Sequence, residues 1–232
     1  MLHGRHPIGT IGIMGGIPFM HTEFAWSLAQ MIQYNSEYIC QSNEFIHLTK
    51  AHLSYHSAAR NQLVDTAQGD WLLMLDTDAS FDPDLVARML RVFDKYQLDV
   101  LTGLYHHKSP PHPPVIYKNS DNGEMFDLIG DWTKPEGEYL IPVGSAGAGC
   151  LMVRRSVFNK IKESGESPFD IIHPFGEDHS FFKRLQKIGI QGYCDPTIQT
   201  FHLRTQPIAF EDYDKEELIL GPRQEVTLNG NS

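Results

Sequence analysis

The segment WLLMLDTDASFDPDL, residues 71–85, decides the fold class of this 232-residue chain. It opens with an uninterrupted apolar run, Trp71 to Leu75. That length suits a buried parallel strand, whose two covered faces need no polar alternation. The run ends at Asp76-Thr77-Asp78, and Asp82-Pro83 follows as a helix start. Asp82 can cap free backbone N–H groups, and Pro83 suits the first helical position. Two carboxylates therefore stand at the carboxyl end of a central strand, the edge at which open α/β sheets hold ligands. An Asp-x-Asp pair there can share one hard divalent cation, with water and phosphate oxygens in its other positions, as Mg²⁺ and Mn²⁺ do. A solvated turn is the alternative, since Asp is common where strands leave a sheet. The flanking helix starts, Ala-Arg-Asn before and Asp-Pro after, favour a ligand site.

Upstream, IGTIGIMGG (residues 8–16) reads as a first strand ending in a Gly-Gly turn. Pro18 keeps the chain extended before a helix from about Thr22, in which Phe24, Leu28, Met31 and Ile32 recur at helical spacing. The glycines admit close approach of a ligand, or merely a tight strand-to-helix turn. Neither Gly-x-Gly-x-x-Gly nor a Walker loop is present. A second strand covers Glu44 to Leu48, and Thr49 to His56 form a polar connection into a helix beginning near Ser57. Arg60 lies early in that helix, where the macrodipole disfavours a cation. It needs a partner such as Asp76 or a donor phosphate, unless it is simply exposed.

Downstream of the Pro83 helix, Asp99 to Leu104 reads as the next parallel strand, giving a β-α-β-α-β-α-β progression and a doubly wound sheet. Lys108 to Pro114 holds four prolines and reads as a rigid connection, flanked by His106 and His107 and containing His112. Histidines in such a loop seldom fix a tetrahedral metal site. Residues 115–141 read as irregular strands and loops, with Val115 to Tyr117 as a short strand. Trp132, among acidic and polar residues, is either a platform for a sugar face or a hydrophobic plug. In VGSAGAGCLMVRR, Gly144, Gly147 and Gly149 give backbone clearance before a strand at Cys150 to Val153 and a Ser156-capped helix.

Gly176-Glu177-Asp178 opens an amphipathic helix carrying Phe181, Phe182, Leu185 and Ile188. Capping accounts for one acid at a helix start, and two adjacent acids make a candidate general base with a hydrogen-bonding partner. The helix ends at Gly189, and a last strand around Ile198 to Phe201 leads to His202. A neutral imidazole there can complete a metal shell with Asp76 and Asp78. From Glu211 the chain is acidic and reads as a peripheral helix, a frayed tail or a lid.

The net charge of -10 argues against a broad electrostatic grip on nucleic acid. An acidic protein that handles a polyanionic nucleotide does so through a metal, which reverses the local sign. No apolar run approaches the roughly 18 residues of a membrane span, and the N-terminus lacks the apolar core of a secretory signal. A cytoplasmic protein of one compact unit is expected. Three widely spaced cysteines suit buried reduced thiols.

Four stretches carry a family resemblance: ARNQLVDTAQGDWLLMLDTDASFDPDLV, VLTGLYHHK with the later PPVIY, VGSAGAGCLMVRRSVF, and GEDHSFFKRLQKIGI followed by His202. In this order, from about residue 57 to 204, the chain resembles GT-A glycosyltransferases. It is similar to the large family-two group and to its short bacteriophage and bacterial members. The resemblance implies an α/β, single-domain GT-A (Rossmann-like) fold, an open twisted mixed sheet flanked by helices, over residues 1–210. A nucleotide-sugar half would run to about 104 and an acceptor half from 105, with 211–232 as an acidic tail or lid.

It further implies a metal-dependent transferase using a UDP-sugar in the first instance, or a GDP-sugar. The acceptor is left open among a saccharide, a lipid-linked molecule, a protein and a modified nucleobase. Asp76, Asp78 and His202 would hold Mn²⁺ or Mg²⁺. Gly15, Gly16, Ile17, Pro18, Arg60, Asp76, Thr77 and Arg204 would contact the donor. Asp178 would act as base in an inverting displacement, with Glu177 positioning it, and Tyr105, Trp132, Gly147, Ala148 and Gly149 would line the sugar and acceptor side. Two other functions share the sheet. A sugar nucleotidyltransferase begins with a basic Gly-rich loop, and MGGIPFMHT has no Lys or Arg. A non-catalytic nucleotide-sugar-binding module would not need the complete set of chemically competent side chains.

Overall fold

Alternation within residues 71–75 builds the layers of the molecule. In the computed structural model, which describes residues 5–15, 20–53, 55–130 and 140–203, Leu72 and Met74 enter one hydrophobic cluster, while Trp71, Leu73 and Leu75 enter another. Successive strand residues point to opposite faces, so one apolar run fills both cores.

The elements in order are β1 (His6–Met14), α1 (Thr22–Tyr38), β2 (Glu44–Lys50), α2 (His56–Thr66), β3 (Trp71–Asp76), β4 (Ala79–Phe81), α3 (Leu85–Lys95) and β5 (Val100–Leu104). They continue with β6 (Ile116–Asn119), β7 (Phe126–Leu128), β8 (Ile141–Val143), β9 (Ser145–Ala146), β10 (Cys150–Arg154), α4 (Arg155–Glu163), α5 (Glu177–Lys187) and β11 (Gly192–His202). The main sheet has the order β2-β1-β3-β10-β5-β11-β4, with β8 paired to β11, and a small sheet has the order β7-β6-β9. Phe24 and Met31 of α1 and Met89 and Phe93 of α3 cover one face. Leu63 of α2, Phe158 of α4 and Phe181 and Phe182 of α5 cover the other.

The mixed α/β sheet agrees with expectation, but its centre differs from a simple doubly wound order. β10 runs antiparallel between β3 and β5 and separates them. Its register sets Cys150 opposite Leu75. The Gly147–Gly149 loop, which precedes β10, is thereby delivered to the edge where β3 ends.

Several boundaries also differ. Ala79–Phe81 is a short strand antiparallel to β11, so α3 begins at Leu85 and Pro83 precedes it. Asp82 accepts the Leu85 N–H through its backbone carbonyl at 3.2 Å, and its side chain lies 3.6 Å from Arg88. Arg154 and not Ser156 holds the N-cap position of α4, and no side-chain cap forms there. β2 continues through Thr49 to Lys50. β11 starts well before Ile198, with an irregular register between Asp195 and Gln199.

Gly16, Ile17, Pro18, Trp132, Arg204 and the acidic segment 211–232 lie outside the described residues. Among the described residues no helix is long and apolar enough to cross a membrane. Cys150 and Cys194 are buried free thiols and Cys40 is half-buried. Burial pushes the Cys150 thiol up to about 12.

Phe169 stacks on Phe181 at 4.7 Å and meets Phe158 at 6.3 Å, all within the core beneath α4 and α5. Phe169→Ala should cost about 3–5 kcal/mol through lost burial and the cavity it leaves. The expected readout is a lower urea midpoint with an unchanged m-value.

Candidate active site

The carboxyl edge of β3 is where the site is built. Asp76 ends the strand opposite Met14, which brings Gly15 to the same edge, and its N–H donates to the Gly149 carbonyl at 3.1 Å. The side chain meets Arg60, which is only 4% exposed. Arg60 Nη2 donates to Asp76 Oδ1 at 3.2 Å, Nε to Glu177 Oε1 at 3.2 Å and Nη1 to the Ala148 carbonyl at 2.9 Å. One planar guanidinium thus joins α2, β3, the Gly-rich loop and the start of α5. Burial works against its charge, but Asp76 and Glu177 together outweigh that and raise its pKa. The exposed alternative for Arg60 is excluded.

The Gly-rich loop serves this junction. Gly149 N–H donates to the Tyr105 hydroxyl at 3.2 Å, and a Cβ on Gly149 would come within 2.8 Å of Asp76 Oδ2. Tyr105 is buried, and burial, reinforced by Asp76, pushes its pKa well up, so it stays a neutral phenol. Its ring meets that of His202 edge-on at 4.9 Å. Gly147 N–H is tied to the Val115 carbonyl at 3.2 Å. Thr77 is buried between the two carboxylates.

Two residues after Asp76, Asp78 has different company. The β4–β11 pairing sets His202 opposite Ala79, and the Leu203 N–H closes on the Asp78 carbonyl at 2.7 Å. His202 Nε2 consequently lies 4.0 Å from Asp78 Oδ1. The other ring nitrogen, Nδ1, faces the His106 carbonyl at 2.6 Å. A carbonyl only accepts, so Nδ1 carries the proton and, in the neutral imidazole, Nε2 presents a lone pair. Asp78 Oδ1 is buried and lacks a hydrogen-bond partner. Its second oxygen, Oδ2, accepts from Lys108 Nζ at 2.5 Å.

An orphaned carboxylate oxygen facing an imidazole lone pair is a donor set suited to Mn²⁺ or Mg²⁺, and the Nδ1–H···O=C contact is the kind of outer support that fixes a metal-binding histidine. Asp76, committed to Arg60, is the less ready contributor. Among the described residues no group of three or more His, Cys, Asp or Glu converges as a finished metal shell.

The third part of the site is the start of α5. Asp178 Oδ1 accepts the His179 backbone N–H at 2.7 Å. Burial raises the Asp178 pKa and Glu177 adds to this, against the opposing effects of His179 and Arg60. The result is a carboxylate with more than ordinary affinity for a proton. His179 is held by Ser145 Oγ at 2.6 Å, stacks on Phe126 at 5.0 Å and meets the edge of Tyr117 at 4.8 Å.

The structure therefore brings Arg60, Asp76, Ala148, Gly149, Tyr105 and Glu177 into one network, with Asp78 and His202 as an adjoining pair. Lys108 and the Ser145–His179 contact were not anticipated from the sequence. Position is the signal that could have found Lys108, since it follows β5, another strand ending at the ligand edge.

A family model described as glycosyl transferase family 2 matches residues 29–162, more than half of the chain. The chain belongs to glycosyl transferase family 2. Two solved structures share the GT-A fold of this glycosyltransferase. A197 from STIV superposes with a TM-score of 0.56 at 14% identity, covering 86% of each chain. GalNAc-T7, crystallised with UDP, GalNAc and Mn²⁺, gives a TM-score of 0.58 at 11% identity over 87% of this chain and 44% of that one. No curated protein matches this glycosyltransferase. The stretch matched by the family-2 model contains Arg60, Asp76, Asp78, Lys108 and Gly149, and it stops before Glu177, Asp178 and His202.

Arg60→Met should destabilise the protein by about 2–3 kcal/mol, less than a fully buried broken pair because Asp76 and Glu177 keep contact with water. Chemical denaturation measures this directly. Asp178 gives a pH signature. Its pKa is raised on folding, so its contribution to stability is fully present below the ordinary Asp value of 3.8 and is lost as pH rises through the raised value. Asp178→Asn should match wild type in acid and become the more stable protein towards neutral pH, as read from melting temperature against pH.

Proposed function

We propose that this glycosyltransferase moves a sugar from a nucleoside-diphosphate sugar to an acceptor hydroxyl with inversion at the anomeric carbon. A UDP-sugar is the first candidate donor and a GDP-sugar the second. One observation carries the proposal. The buried, unpartnered Asp78 Oδ1 faces His202 Nε2 at 4.0 Å, on the edge that also holds Asp178, a carboxylate with raised proton affinity. The fold shared with GalNAc-T7, a structure containing UDP and Mn²⁺, supports the choice of donor and metal.

Asp78 and His202, with Asp76, would hold Mn²⁺ or Mg²⁺, which when bound neutralises charge developing on the leaving diphosphate. The chain's own residues supply the rest. Asp178 Oδ1 is engaged by the His179 N–H, which leaves Oδ2 to take the acceptor proton as the hydroxyl attacks. Glu177, fixed by Arg60, holds the start of α5 and thereby the base. Arg60 places its positive charge between Asp76 and Glu177.

A single displacement by an acceptor on the face opposite the leaving group inverts the anomeric centre. Gly15, Gly16, Ile17, Pro18, Thr77 and Arg204 are proposed to complete the donor side, and Trp132 with Gly147 the acceptor side. The acceptor belongs to one of four classes, a saccharide, a lipid-linked molecule, a protein or a modified nucleobase. Tyr117 of the small sheet stands edge-on to His179 at 4.8 Å, next to the base.

With a UDP-sugar, Mn²⁺ and an acceptor panel, Asp78→Ala and Asp178→Asn should each lower kcat by about 10²–10⁴-fold, the usual worth of a positioned acid–base or charge-stabilising group. The wild-type rate should fall on the acid side at a pH above the ordinary range of aspartate. Transfer that survives Asp178→Asn, or a product of retained configuration by NMR, would remove the base from the mechanism.

A further inference from the structure

Lys108 has two neighbourhoods. On one side its ammonium contacts Asp78 Oδ2 at 2.5 Å, beside the unpartnered Oδ1 of the same carboxylate. On the other it lines a cavity of about 210 Å³ together with His106, His107, His112 and His202. None of the residues lining that cavity is acidic, in a chain whose net charge is -10. A hollow lined by one ammonium and four imidazoles, with no acidic side chain in its lining, offers donors to an anion. An ammonium has three donors, so Lys108 can reach both Asp78 and a guest. The surrounding loop is tied to the site at two further points. The His106 carbonyl accepts from His202 Nδ1 at 2.6 Å, and His107 Nε2 contacts the Tyr117 hydroxyl at 3.1 Å.

We propose that Lys108 is the resident counter-ion of Asp78, and that it releases this carboxylate to a divalent cation when a diphosphate enters the adjoining cavity and takes over its ammonium. Lys108 on Oδ2 neutralises the carboxylate whose Oδ1 would take the metal, and the two cations repel each other across one carboxyl group. A diphosphate that draws Lys108 away therefore raises metal affinity. By linkage, the metal raises diphosphate affinity by the same factor. Lysine suits the exchange better than arginine would, being a compact charge on a flexible stem and not a rigid fork. The inference rests on the metal role of Asp78 given above, and it adds a defined order of charge exchange to that role.

The test is direct binding, free of turnover. Mn²⁺ is titrated by electron paramagnetic resonance into wild type, Lys108→Met and Asp78→Asn, each without nucleotide. Inorganic pyrophosphate is titrated calorimetrically into the same proteins in EDTA. Lys108→Met should bind Mn²⁺ roughly three- to fivefold more tightly than wild type, the range allowed for a half-exposed ion pair. It should bind metal-free pyrophosphate correspondingly more weakly. Lys108→Gln provides the same comparison should the methionine variant fold poorly. Mn²⁺ affinity in the lysine variants equal to or below that of wild type overturns the counter-ion role. If Asp78→Asn also binds Mn²⁺ as wild type does, the metal role of Asp78 falls with it. If Asp78→Asn alone loses Mn²⁺ and the lysine variants match wild type, only the Lys108 proposal fails.

Discussion

A buried guanidinium is the constraint on which the rest of the site depends. Arg60 sits inside the protein with its charge intact, a state that is tolerable only when opposite charge and hydrogen-bond acceptors surround it. Asp76, Glu177 and the Ala148 carbonyl meet that condition, and they come from three segments distant in sequence. Each is therefore fixed relative to the other two by one rigid planar group. Lysine could not reproduce this, since a point charge lacks the diverging N–H directions. The glycines follow from the same demand. Side chains at Gly147 and Gly149 would run into Tyr105 and Asp76, and the loop carbonyl could no longer reach the guanidinium.

The two carboxylates of Asp76-Thr77-Asp78 are consequently not equivalent. Asp76 belongs to the interior network and is matched by a permanent cation. Asp78 stands outside it, with one oxygen on Lys108 and the other unpartnered opposite His202. A motif that reads as a symmetric pair in sequence is thus divided between a buried arginine on one side and a lysine with a histidine on the other.

Much of this was legible before any coordinates. The apolar run 71–75 with its acidic end, the helical periodicity of α1 and α5, and the Gly-Glu-Asp start of α5 are local patterns, and local patterns survive folding. Arg60 announced its need for a partner through its unfavourable place in α2. What escaped sequence inspection depends on pairing between distant segments. Ala79–Phe81 is too short to show a period and is a strand only because β11 lies beside it. β10 shows an ordinary apolar run, and nothing local marks it as antiparallel or as inserted between β3 and β5. Lys108 sits among prolines that signal rigidity, and its contact with Asp78 arises from where β5 ends.

The β4–β11 pairing carries one more consequence, for the way the enzyme is made. His202 reaches Asp78 through the antiparallel register of the last described strand, and the Leu203 N–H fastens the same corner. During synthesis Arg60, Asp76 and Asp78 emerge long before that strand exists. A chain still growing holds its carboxylates without their imidazole, and β4 without a neighbour. The corner that joins Asp78 to His202 thus closes only once the last described strand has been made.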